Sequence, residues 1–162
     1  MFDRLLHILT GVNDAHPSGD RNDPAFALAV LLIEVARSDD RVEDCEQGII
    51  ERALALRFGL ERSEVTRLIK AAEEGAIQAT DLFHFTQIVV KNFSPEERIG
   101  VIEMLWEVAY SDGVLAGDQD ALIRRVAGLI YVSDRERAET RQRVIRRSAG
   151  RLQPGRSIRR AT

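Results

Sequence analysis

Apolar positions in this chain return every three or four residues, the period of an α-helix, and no stretch alternates in the manner of a strand. Phe2, Leu5, Leu6 and Leu9 share one helical face, and a loop rich in Gly, Asn, Asp, Pro and Ser follows over residues 11–22. Asp23-Pro24 predicts a helix start, with the aspartate as N-cap and the proline in the first helical position. The helix it opens runs to about residue 38, is apolar on most sides, and belongs at the centre of a core. A turn over 39–42 leads into a helix over 44–58, stopped by Gly59, with Ile49, Ile50, Ala53, Leu54 and Leu56 as its buried face. A helix over 62–74 then ends near Gly75. The next, over 81–92, has Thr80 as cap and Leu82, Phe85, Ile88 and Val89 turned inward. Ser94-Pro95-Glu96-Glu97 is a capping box that opens a helix to about residue 111. A helix over 117–130 follows, and a second capping box, Ser133 with Glu136, opens a last helix to about residue 149 with a strongly basic face.

The pattern repeats. Leu32-Ile33-Glu34-Val35-Ala36-Arg37-Ser38-Asp39 returns 73 residues later as Leu105-Trp106-Glu107-Val108-Ala109-Tyr110-Ser111-Asp112. At the same spacing Val42 falls on Leu115, Ile49 on Leu122, Ile50 on Ile123, Arg52 on Arg125 and Leu56 on Leu129. The predicted fold is all-α: a single-domain bundle of about seven to eight helices built from two related halves, bridged by the 81–92 helix. Residues 1–22 form an N-terminal helix and loop, 23–149 the helical domain, and 150–162 a flexible basic tail.

Composition refines this picture. The 162 residues, 44% hydrophobic and 30% charged, suit one soluble domain with a substantial core. The net charge of −3 is uneven: seven arginines and no acids follow from Arg143 onward, which leaves −10 on residues 1–142. A body of that charge argues against nucleic-acid binding over its general surface. The arginine tail lacks interleaved aromatics for base stacking. Cys45 is the only cysteine, so no internal disulfide can form. The N-terminus is too short and charged for a secretory signal, and no apolar run approaches the ~20 residues that span a bilayer. These features predict a cytoplasmic protein that is not integral to a membrane. The face of Phe2, Leu5, Leu6 and Leu9 fits packing on its own domain, on a partner subunit, or on a membrane surface.

Two acidic turns are the candidate chemistry. Asp39 and Asp40, with Glu43, Asp44 and Glu46, flank the first, and Asp112, Asp118 and Asp120 flank the second. Carboxylates on a turn and at a following helix start can take a hard cation such as Ca²⁺ or Mg²⁺. They can equally satisfy free N–H groups and favour the helix dipole. Neither turn has the alternating acids, glycine at six and glutamate at twelve of an EF-hand loop. Glu34 and Glu107, in apolar helices, predict salt bridges to Arg52 and Arg125, or alternatively a place among the ligands. Trp106 reads as a core anchor. His7, His16 and His84 are scattered, Cys45 lacks a partner, and no nucleophile triad, phosphate loop or zinc signature is present. The expected protein is not an enzyme.

Residues 34–42, followed by Glu46, resemble the first signature of the TerB-like family, and residues 107–115, with Asp112-Gly113, resemble its second. The family is named for a tellurite-resistance protein and is similar to the N-terminal cytosolic domain of a membrane-anchored DnaJ-like co-chaperone. The resemblance spans residues 23–149. It implies a non-enzymatic helical module of stress responses whose acidic residues bind divalent metal, with a protein partner at the inner membrane surface. Carried over by position, the ligands are Asp39, Asp40 and Glu46 in the first copy and Asp112 in the second. This chain departs from the pattern at Gln119, which stands opposite Glu46 with Asp118 and Asp120 on either side. The alternative function is a purely structural adaptor, without metal, whose acids cap helices.

Overall fold

The computed structural model describes residues 21–37, 44–78, 82–111, 113, 115 and 117–151. Among them are seven helices and no strand: α1 (Pro24–Arg37), α2 (Asp44–Phe58), α3 (Arg62–Gln78), α4 (Phe83–Asn92), α5 (Pro95–Ala109), α6 (Gly117–Leu129) and α7 (Asp134–Arg151). The expected N-terminal helix, the Thr80 cap and the end of the basic tail lie outside the described residues. The part of the expected tail that is described, Gly150 and Arg151, continues α7.

Helix α1 is the axis of the bundle. Asp23 Oδ1 accepts the Ala25 N–H at 3.0 Å, and the Ala27 N–H reaches the Asp23 carbonyl at 2.9 Å. Eleven of its fourteen residues are buried. A helix apolar all round must be covered all round, and α2, α3, α4, α5 and α6 all pack on it. Leu28, Leu31 and Leu32 are essentially inaccessible to solvent, and each contributes about 1.5–3 kcal/mol relative to exposure.

Helix α3 runs through Gly75 to Gln78, past the predicted stop. Gly75 serves another purpose: a Cβ there would lie 2.8 Å from Phe26 Cζ. The missing side chain lets α3 lie close against α1, and Phe26 in turn meets Phe85 of α4 at 6.1 Å between ring centres. Helix α4 starts at Phe83 with Leu82 as an N-cap that makes no side-chain hydrogen bond. Its inward face adds Thr86, whose hydroxyl donates to the Phe83 carbonyl at 2.8 Å. On α2, Ile50 and Leu54 are buried, but Leu56 is 80% exposed, contrary to expectation. Leu56 is 200° around the helix from Leu54, so both cannot face the core.

Helices α5 and α7 open with the two expected capping boxes. Glu97 and Glu136 reach back to the amides of Ser94 and Ser133 at 2.7 and 2.9 Å, while Ser94 and Ser133 accept the amides of Glu97 and Glu136. The corner from α2 to α3 and that from α6 to α7 close alike. The Leu60 N–H returns to the Ala55 carbonyl and the Val132 N–H to the Ala127 carbonyl, with Gly59 and Tyr131 at φ of 63° and 60°. This is the Schellman ending that satisfies orphan carbonyls at a helix C-terminus. The paired residues stand 72 apart, one fewer than the spacing upstream, so the second set loses a residue at this corner.

Candidate functional site

The candidate site is built from the end of α1, the end of α5 and the first turns of α2 and α6. Asp39, Asp40 and Asp112 lie outside the described residues, as does Glu43; the neighbours of Asp112 on both sides are described. Helix α5 ends on Tyr110, whose N–H still reaches the Trp106 carbonyl at 2.9 Å. The Ser111 N–H bonds the Val108 carbonyl at 3.2 Å, and the Gly113 N–H bonds the Tyr110 carbonyl at 3.0 Å. Gly113 takes φ of 82°, a conformation glycine adopts without cost.

In the first turn of α6, Asp118 is exposed and Asp120 is half-buried, 4.0 Å from Arg124 one turn on. Between them Gln119 is only 2% exposed. Its Nε2 donates to the Val35 carbonyl at 3.3 Å. Val35 belongs to the last turn of α1, whose carbonyls no amide of the helix can reach. An amide side chain can donate to such a carbonyl and a carboxylate cannot. The departure from an acid at residue 119 therefore has a structural cause. Glu46, opposite it in the repeat, is likewise buried, at 3% exposure. Sequence reasoning marked Gln119 as a missing ligand and overlooked it as a tie between distant helices, although a glutamine where its counterpart is an acid was the available signal.

The predicted salt bridges are replaced. Among the described residues no ion pair joins Glu34 to Arg52 or Glu107 to Arg125; both arginines are exposed. Glu107 accepts instead from Arg147 of α7 at 2.8 Å, and the same guanidinium reaches Glu103 at 2.7 Å, with Arg143 3.6 Å from that carboxylate. Glu34 is half-buried. Burial pushes its carboxyl above the ordinary value, and Arg37 pulls it partly back. At Glu97 burial acts in the same upward direction, but the Ser94 amide and Arg57 outweigh it and hold that carboxyl low.

Trp106 is a core anchor, 1% exposed, and its indole N–H finds no acceptor among the described residues. Its ring is covered by Arg141, whose guanidinium sits 5.5 Å from the ring centre and donates to the Tyr110 hydroxyl at 2.8 Å. The basic face predicted for α7 is thus partly turned inward, onto aromatics and glutamates of α5.

Of the six predicted ligands, Glu46 is buried, Asp118 and Asp120 flank the Gln119 tie, and the other three lie outside the described residues. Among the described residues no three His, Cys, Asp or Glu side chains close around one position suited to a metal, and no helix is long and apolar enough to cross a membrane. The model of a family described as "Tellurite resistance protein TerB" matches residues 25–142, from the first turn of α1 into α7 and across both acidic corners. No curated protein and no solved structure matches the chain.

Proposed function

This chain belongs to the TerB family of tellurite-resistance proteins, and on that premise we propose that it is a non-enzymatic module that binds a divalent cation, Ca²⁺ or Mg²⁺, at its acidic corners. The same face then engages a protein partner at the inner surface of a membrane, in a stress response of the tellurite type. The observation that supports this most is the Gln119 bond to the Val35 carbonyl. It ties the first turn of α6, with Asp118 and Asp120, to the last turn of α1, which leads by sequence into Asp39 and Asp40. In this reading the acids of the two corners, 73 residues apart in sequence, share one cation. Oxygen-only donors of this kind suit hard cations. Like charges held near one another repel, and a cation between them turns that repulsion into attraction. Chemically, Asp39, Asp40 and Asp112 supply the carboxylates, Asp118 and Asp120 extend the acidic face, and Glu46 is the further acid of the first half-site.

The test is thermal. A cation that binds only the folded chain stabilises it by about 2.7 kcal/mol at a hundred times its dissociation constant. Millimolar Ca²⁺ or Mg²⁺ should raise Tm, and Asp39→Asn with Asp112→Asn should abolish the rise. The ion pair of Asp120 with Arg124 favours a second reading, a structural adaptor whose acids only stabilise helix starts. It requires no cation effect and a double variant of equal or slightly lower stability.

A further inference from the structure

A groove opens between α2, α5 and α7, and at one end it reaches Ser111 and Gly113 of the second acidic corner. Two adjoining cavities of about 270 and 380 Å³ make it up, and they share Ala53, Leu56, Glu107 and Arg147. Its apolar lining comes from Ile49, Ala53, Met104 and Val144. Leu56 stands at the lip, 80% exposed, the most exposed large apolar side chain among the described residues. Arg52 lines the same groove and forms no ion pair among the described residues.

We propose that this groove is the docking site of the chain's own first segment, residues 2–9, laid in as a short amphipathic helix. Phe2, Leu5, Leu6 and Leu9 fall at the one-face spacing used by helices that lie in apolar grooves. The lengths agree. On α2 the groove runs from Ile49 to Arg57, about 12 Å at helical rise, and eight residues of helix cover about 12 Å. The tether suffices: residues 10–22 reach up to about 43 Å when extended, against about 21 Å for the whole of α1. A short tether also holds the segment at an effective concentration of about millimolar, so a weak apolar contact is enough. Charge disfavours the other end of the chain. In residues 2–9 Asp3 balances Arg4, whereas residues 152–162 carry three arginines and no acid, and the groove is lined by Arg52, Arg57 and Arg147 against Glu103 and Glu107.

The test uses the full chain, isotope-labelled for NMR. A nitroxide on Leu56→Cys, in a Cys45→Ser background, should broaden the amides of residues 2–9. The broadening should vanish with Leu5→Asp and Leu6→Asp. In the isotope-labelled protein without nitroxide the same two substitutions should move the amide shifts of Ile49, Ala53, Met104 and Val144 and leave those of Val65, Leu68 and Ala72 on α3 in place, which separates release of the segment from loss of the fold. Broadening of residues 152–162 instead would overturn the proposal in favour of the tail. Broadening of residues 2–9 only between mixed labelled and unlabelled chains would overturn it in favour of a second copy. Unbroadened residues 2–9 would overturn it outright.

Discussion

Helices α3 and α7 each close a set of three, α3 against α1 and α7 against α5, and they do so with opposite chemistry. Val65, Leu68, Ile69, Ala72 and Ala76 of α3 are buried, and Gly75 brings the helix against Phe26. Among the described side chains of α7 only Thr140 and Val144 are buried. The rest of that contact is Arg141 over Trp106, Arg143 and Arg147 on Glu103, and Arg147 on Glu107. A three-helix plan thus accepts either an apolar seam or a seam of arginine stems and charged heads, provided each guanidinium has an acid or an aromatic face. The acidic corners follow the same division: one keeps a buried Glu46, the other a buried Gln119 whose amide serves α1.

The largest expected effect lies on the apolar seam. Leu68→Ala should cost about 2–5 kcal/mol in chemical denaturation, whereas Thr140→Val, at a buried site of α7 where the hydroxyl bonds only the Arg137 carbonyl of its own helix, should change stability by less than about 1 kcal/mol. Equal losses would erase the contrast between the two seams.

Gln119→Glu should come next. It sets an acceptor against the Val35 carbonyl, at about 1–3 kcal/mol for the orphaned buried groups. In the proposed function the new carboxylate also completes the acidic set opposite Glu46, so Ca²⁺ should recover more stability in this variant than in the wild type. A cation response no larger than wild type would remove residue 119 from the site.

Smaller effects separate the two helix endings. Gly59 and Tyr131 both hold left-handed backbone, which costs a non-glycine residue about 1–2 kcal/mol. Tyr131 is 73% exposed, so little burial offsets that cost. Tyr131→Gly should stabilise by up to about 1 kcal/mol, and Gly59→Ala should destabilise by a similar amount. Smallest is Glu34→Gln. Burial raises this carboxyl in the folded state, so its ionisation opposes folding, and the penalty grows as pH rises from the unfolded value through the raised folded one. The Tm gain of the variant should therefore be greater near pH 7 than at about pH 4. A gain independent of pH would assign the effect to packing instead.

Much of the fold was legible because its signals are local. Asp23-Pro24, Ser94-Pro95-Glu97 and Ser133-Glu136 mark helix starts through hydrogen bonds that span at most three residues. The apolar run of α1, broken at Glu34, places it at the centre. What stayed hidden depends on residues far apart in sequence. Gly75 reads as a stop until Phe26 is set against it. Arg147, not Arg125, meets Glu107 because α7 crosses α5. Gln119 reads as a lost ligand until the Val35 carbonyl is found 84 residues away. Leu56 was misplaced because membership of an apolar helix does not fix which way a residue points.

The central claim, a divalent cation held by the acidic corners, is tested most directly by calorimetric titration of the chelator-stripped full chain with Ca²⁺ and with Mg²⁺. The account predicts a saturable heat for at least one of them below millimolar free cation, and its loss in the variant carrying Asp39→Asn and Asp112→Asn. No saturable heat with either cation, or a heat that survives unchanged in that variant, would contradict it.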